Sequence, residues 1–204
     1  FVTATNGRPA LQLTNAGGAN GFPRWSPDGS KVLFTSSRDG NFELYVMRAD
    51  GTGQTRLTFN LGDDVGGAWS PDGAHIAFFS ARGVARELFI MRADGSEALR
   101  LTSDGTEKGP RVAWSPDGSR LAFHAYRDRT AGIYIVNADG TGLRLLTTHA
   151  SSDRYPVWSP DGRQIAFATD RDGNDEIYVM NADGSGAMRL TNNPGADVPD
   201  AWGR

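Results

Sequence analysis

The sequence has no cysteine and only three histidines among 204 residues. Disulfides, Cys-ligated zinc, iron–sulfur clusters and a thiol nucleophile are thereby excluded. Positive charge is not in surplus either: 21 basic against 24 acidic side chains leave a net charge of −3, so no nucleic-acid partner is expected to be held through its phosphates. No apolar run approaches the ~18 residues of a spanning helix, and no charged-then-apolar leader opens the chain. A membrane span is not expected. Phe1 in place of Met predicts a processed, excised or incompletely represented chain. Enzymatic signatures are missing too: there is no Gly-x-Ser-x-Gly elbow, no phosphate loop ending in Gly-Lys and no His-Glu-x-x-His.

What the chain has in excess is turn chemistry, with 26 glycines and 10 prolines. They fall into a repeat. Trp-Ser-Pro-Asp-Gly occurs at Trp25, Trp69, Trp114 and Trp158, spaced 44, 45 and 44 residues, and Trp202 follows 44 later. Leu-Thr pairs lie 32 residues after each complete tryptophan, at Leu57, Leu101, Leu146 and Leu190, and Leu13-Thr14 precedes the first. An Ala-Asp-Gly turn at Asp50, Asp94, Asp139 and Asp183 stands between them.

Each unit reads as four short strands: one ending at the tryptophan, an Ile-Ala-Phe-like second, a Tyr/Phe-centred third and a fourth ending at Leu-Thr. Pro at the second turn position fixes φ, and Gly supplies φ > 0. Four strands per ~40–45-residue repeat make the blade of a β-propeller, whose blades cover each other on both faces. The repeated aromatics then serve blade packing, and Pro23 and Pro156 suit an innermost edge strand. The expected fold is all-β: a propeller of four-stranded antiparallel blades within one domain, 1–204. Repeats begin near 19, 63, 108 and 153, with 197–204 plus 1–18 as a split fifth blade.

Residues 158–191 carry a family resemblance: WSPDG, then Ile-Ala-Phe, then Arg-Asp-Gly-Asn-x-Glu-Ile-Tyr-Val-Met-Asn-Ala-Asp-Gly-Ser-Gly, then Arg-Leu-Thr. This resembles the WD-like repeat of the TolB family, and the likeness extends over essentially the whole chain. It implies a non-enzymatic propeller scaffold, periplasmic or extracellular, that binds calcium and a protein or peptide segment at its channel. Similar repeats also occur in the non-catalytic propeller of prolyl-oligopeptidase-like peptidases and in oligogalacturonate lyases, so these remain alternatives, as do a lectin and an excised or engineered propeller.

Aligning Leu13 with Leu57 places Phe1 on Tyr45 and Asn6-Gly7 on Asp50-Gly51. The chain thus enters in a third strand and leaves after a first strand, and the composite blade lacks its second. Two arrangements follow: a five-bladed ring closed by the termini, which leaves fewer exposed edges and is preferred, or a piece of a six-bladed propeller such as the TolB family has. Oligomerisation or strand exchange through the incomplete blade is a further expectation.

The Ser-Pro-Asp-Gly and Ala-Asp-Gly turns fall on one face. The loops entering strand one and joining strands two and three fall on the other, and these vary. Five residues before each tryptophan stand Asn20, Asp64, Asp153 and Asp197; the third loop has an extra residue and offers Gly109, with Glu107 nearby. Carboxylates recurring round one axis repel and recruit a cation, and hard oxygens suit calcium. The other reading is an Asx-turn in each loop. No cofactor is required; calcium is the candidate ion. Arg38, Arg82, Arg127 and Arg171, with Glu43, Glu87 and Glu176, recur at fixed register as inter-blade ion pairs or as a rim for a charged partner. Asp170 to Asn174 imitates a calcium loop but fails the EF-hand pattern at Asp175 and Asn181. Phe22, Phe59 and Tyr155 are the aromatics a lectin would use. His75, His124 and His149 lie 6, 10 and 35 residues after their tryptophans, so they do not converge on the axis, and His124 is expected to pack between blades.

Overall fold

A computed structural model describes residues 1–3, 10–15, 17–148 and 151–202. Asn6-Gly7 and His149 lie outside the described residues. Among the described residues sixteen strands form four antiparallel sheets in simple up-and-down order. Blade 1 comprises β1 (Asn20–Trp25), β2 (Lys31–Ser36), β3 (Glu43–Arg48) and β4 (Thr55–Arg56); blade 2, β5 (Asp64–Trp69), β6 (His75–Ser80), β7 (Glu87–Arg92) and β8 (Leu99–Arg100). Blade 3 comprises β9 (Glu107–Trp114), β10 (Arg120–Arg127), β11 (Thr130–Asn137) and β12 (Arg144–Leu145); blade 4, β13 (Asp153–Trp158), β14 (Gln164–Thr169), β15 (Glu176–Asn181) and β16 (Met188–Arg189). No described helix is long and apolar enough to cross a membrane.

The turns form for reasons written in the repeat. Gly29 N donates to the Ser26 carbonyl at 2.9 Å, and the left-handed φ of +70° at Gly29 is one that glycine adopts without a Cβ penalty. Asp28 Oδ1 accepts from Ser26 Oγ and Ser30 N at 2.6 and 3.0 Å, and these bonds hold its carboxyl down at about 2. The Ala-Asp-Gly turns are capped likewise, Asp50 Oδ1 accepting from Thr52 N at 2.9 Å. This face is turn chemistry throughout.

The core lies between blades. Leu33, Leu44, Trp69, Ile76 and Phe78 join blades 1 and 2; Phe79, Leu88, Leu121 and Phe123 join blades 2 and 3; Ile133, Trp158, Ile165 and Phe167 join blades 3 and 4. The tryptophans of blades 2, 3 and 4 also tie each of these blades to the one before: Nε1 of Trp69, Trp114 and Trp158 donates to the carbonyls of Arg24, Ala68 and Ala113 at 3.3, 3.1 and 3.2 Å. Such a buried indole N–H needs an acceptor, and the repeat supplies one.

The inner strands β1, β5, β9 and β13 touch in sequence, whereas β1 and β13 do not touch. At one end Val2 pairs with Leu11, the register of Val46 with Thr55 in β3 and β4, and Leu13 packs on Val32, Phe34, Tyr45 and Met47. At the other, Asp197 N donates to the Asp175 carbonyl at 2.7 Å, as Asp64 N does to Phe42. Val198 to Trp202 border a cavity with Val157, Ala166 and Ile177 of blade 4.

Candidate binding site at the channel mouth

Asn20, Asp64 and Asp153 stand at the first position of their inner strands, and each meets an arginine from the β2–β3-type loop of its own blade. Arg38 Nη2 donates to Asn20 Oδ1 at 3.1 Å, Arg82 Nη2 to Asp64 Oδ2 at 2.9 Å and Arg171 Nη2 to Asp153 Oδ1 at 3.0 Å. Each guanidinium lies over an aromatic ring of strand three: 4.7 Å from Tyr45, 5.0 Å from Phe89 and 4.5 Å from Tyr178, a favourable cation–π arrangement. Asp64 and Asp153 are fully buried. Asp64 also accepts from Asn60 Nδ2 at 2.7 Å, and Asp197 from Asn193 Nδ2 at 2.6 Å.

Each of these carboxylates therefore has one oxygen held by neighbouring side chains, not by an Asx-turn. Among the described residues no three of His, Asp or Glu gather where they could hold one ion. Two oxygens, Asp64 Oδ1 and Asp153 Oδ2, are buried without a hydrogen-bond partner.

Glu43, Glu87 and Glu176 open strand three and face Arg56, Arg100 and Arg189 of strand four at 2.9, 3.2 and 2.9 Å. They also accept from Asn60 N, Gly105 N and Asn193 N, at 3.0, 3.0 and 3.2 Å, fixing the loop into the next blade. The recurrent pairs are thus mainly within blades, a correction to the inter-blade expectation: arginine and acid share a register because they share a sheet.

Blade 3 departs from this pattern. Ala125 pairs with Lys108 where Ser80 pairs with Asp64, so the ring position is held by Lys108 and not Gly109. The extra residue sits in the bulge opposite His124, which shifts the position to six before the tryptophan. Lys108 is buried, and its Nζ lies 2.7 Å from Glu87 Oε2 and 2.5 Å from Asp104 Oδ1; it helps hold the Glu87 carboxyl below its ordinary range against the opposing effect of burial. Gly109 lies under His124, where a Cβ would come within 1.8 Å of Nε2. His124 is buried, in edge contact with Tyr126 at 5.6 Å and with Tyr155 of blade 4 at 5.3 Å. Burial, then the Arg154 and Arg111 cations, push it down to about 4. Glu107 accepts from Arg86 N at 3.0 Å at the rim, and Arg127 is exposed with no ion-pair partner among the described residues.

The inner strands and residues 199–201 enclose a channel cavity of about 400 Å³. Arg24, Arg111 and Tyr155 line it, with Trp69, Pro156 and Asp200. Phe22 and Tyr155, each before a proline, take left-handed φ of 51° and 57° at the strand-one bulges, strained for side chains with a Cβ.

A family model described as the TolB beta propeller domain matches residues 2–112 and 104–202. The chain belongs to this family. Over 57 residues it is 44% identical to the Tol-Pal system protein TolB of Geobacter sulfurreducens, a stretch covering 28% of this chain and 13% of the relative. The crystal structure of TolB from Acinetobacter baumannii matches with a TM-score of 0.80 at 30% identity, over 93% of this chain and 47% of that one. An oligogalacturonate lyase from Vibrio parahaemolyticus matches with a TM-score of 0.64 at 19% identity, over 80% of this chain and 50% of that one; this likeness is one of fold alone. The chain spans about half the length of these solved structures.

Within this TolB-type propeller, sequence reading missed Lys108, Arg24 and Arg111. Two signals pointed to blade 3: twelve residues separate Thr102 from Trp114 where eleven separate Thr58 from Trp69, and Gly132 stands where the other blades have Glu43, Glu87 and Glu176.

Proposed function

We propose that the chain is a non-enzymatic binding scaffold that takes a peptide or protein segment at its channel, outside the cytoplasm. The observation that carries this reading is the channel cavity of about 400 Å³, walled by inner strands and lined by arginine and tyrosine, residue types enriched where proteins bind proteins. The family supports it. Catalysis finds no support: His75 opens β6, His124 is buried between blades, and neither has a nucleophile or acid hydrogen-bonded to its side chain among the described residues.

A calcium ion held by Asn20, Asp64, Asp153 and Asp197 is the second form of this reading. The partnerless oxygens of Asp64 and Asp153 favour it. Arg82, Arg171 and the Lys108 ammonium oppose it, because each already occupies or repels the charge an ion would need.

Peptides selected from a random display library against the chain test the reading. Their binding is expected to weaken in Phe22→Ala/Tyr155→Ala, Tyr155 lining the cavity and Phe22 lying beside Arg24 and Arg111 in a small space next to it, and to be unchanged in Asp50→Ala on the turn face. Indifference to the channel variants, or cleavage of polygalacturonate by the chain, would overturn it.

A further inference from the structure

Four arginines occupy one register position, two residues after Ser36, Ser80, Ala125 and Thr169 of the second strands: Arg38, Arg82, Arg127 and Arg171. Three are spoken for. Arg38, Arg82 and Arg171 donate to Asn20, Asp64 and Asp153 and lie over aromatic rings of their own blades. Arg127 cannot follow them, because the residue that would receive it is Lys108, a second cation. A guanidinium facing an ammonium is repelled where its equivalents are held.

The blade has changed shape to match. β10 and β11 run for eight residues each where β2, β3, β6 and β7 run for six, so the connection that is an unpaired loop in the other blades is here a paired hairpin with a two-residue tip. Its tip, Asp128-Arg129, has left-handed φ of 50° and 71° at both positions, the two-residue turn that normally calls for Asn-Gly. Tyr126, Arg127 and Arg129 are exposed there. Neither arginine has an ion-pair partner among the described residues; Asp128 stands between them, and Glu107 beside them is engaged by Arg86. The tip is therefore net positive.

From this tip a continuous line of rings leads down into the channel. Tyr126 meets His124 at 5.6 Å, His124 meets Tyr155 at 5.3 Å, and the Arg111 guanidinium lies 5.1 Å over Tyr155. Arg111 is shared with Asp200 at 3.1 Å. Across the same cavity Arg24 has no ion-pair partner among the described residues.

We infer that blade 3 is the entry strip of the channel, and that it admits an extended acidic polypeptide segment, drawn in by Arg127 and Arg129 and followed inward over Tyr126, Tyr155 and Arg111. This deepens the channel-binding reading and rests on it. Electrostatic attraction at the rim acts at a distance, while tyrosine and arginine give contact area at low entropy cost. A polypeptide fits better than an acidic polysaccharide, because the channel wall beyond Arg111 is Val112, Ala113, Pro156 and Val157, which offers apolar contact to side chains and few groups to sugar hydroxyls.

The test uses the whole chain and two fluorescein-labelled peptides, one alternating glutamate with alanine and one with glutamine in place of every glutamate, read by anisotropy at low and high salt. The acidic peptide is expected to bind at least about tenfold more tightly, with the difference shrinking at high salt. Arg127→Glu/Arg129→Glu is expected to weaken it about tenfold, two exposed charge reversals being worth roughly that, while Arg163→Glu on the turn face changes nothing. Equal binding of both peptides, unmoved by Arg127→Glu/Arg129→Glu yet lost in Phe22→Ala/Tyr155→Ala, overturns the acidic strip and leaves the channel reading standing. Binding of oligogalacturonate and neither peptide, sensitive to Arg127→Glu/Arg129→Glu, overturns the polypeptide partner. If no probe binds, both readings fall.

Discussion

The Lys108 ammonium and the Glu87 carboxylate lie 2.7 Å apart, both buried, and join the first strand of blade 3 to the third strand of blade 2. No other blade boundary carries such a pair among the described residues. Removing Lys108 leaves the buried Glu87 carboxylate with only the half-exposed Arg100 guanidinium as counterion, which costs more than the pair itself contributes. Lys108→Ala is therefore expected to destabilise the chain by about 3 kcal/mol in urea denaturation, and Lys108→Met with Glu87→Gln to recover most of that loss. Additive losses in the double variant would show that the two side chains do not act together.

Asp64 and Asp153 are already neutralised by guanidinium groups, so excess calcium is expected to leave the melting temperature where EDTA leaves it. Arg82→Gln strands the buried Asp64 carboxylate and is expected to cost about 2 kcal/mol. A calcium-dependent rise in the unsubstituted chain that disappears in Asp64→Asn/Asp153→Asn would establish an ion at the ring.

Gly109 has ordinary φ, and its reason for being glycine is space. A methyl group there would meet the His124 ring at 1.8 Å, so Gly109→Ala is expected to cost about 2–3 kcal/mol. The double variant Gly109→Ala/His124→Ala should be more stable than Gly109→Ala alone, since the ring that clashes is gone. Thermal unfolding of the three variants decides it.

His124 makes stability depend on pH with a definite sign. Its folded value is pushed down to about 4 from an ordinary 6.5, so the unfolded chain takes up its proton first as pH falls. The stabilising contribution is full above the ordinary value and declines as pH drops through the window between the two. Between pH 7 and pH 5 the loss is expected to be about 2 kcal/mol, measured by denaturant midpoints, and to vanish in His124→Leu. The turn carboxylates do not confuse this window, since Asp28 and Asp117 are held at about 2.

The blades were legible because their turns are local. Ser26, Pro27, Asp28 and Gly29 close a turn with bonds among themselves and to Ser30, and the same letters at 44-residue spacing close it again. Candidate side chains were legible only as positions. That Asp64 and Arg82 share a register was visible; that they touch was not, because the contact depends on which residues two antiparallel strands set opposite each other. Blade 3 shows the difference: one extra residue in the strand, absorbed by a bulge, exchanged Gly109 for Lys108 and put a cation where the sequence offered a glycine.

Periodicity, turn residues and the alternation of short apolar runs determined by themselves that this chain is a four-stranded-blade propeller, since each repeat must bury both sheet faces and only neighbouring copies can cover them. Tertiary structure alone decided the electrostatics of the channel mouth. Asp64 and Asp153, which look like part of an acidic ring in the sequence, are buried and matched with arginines from the adjacent loop, Asp197 is held by Asn193 instead, and Arg127 has no ion-pair partner among the described residues, Lys108 standing at the register position its partner would take. Charge on a list of residues is additive; charge at a site depends on who is within three ångströms of whom.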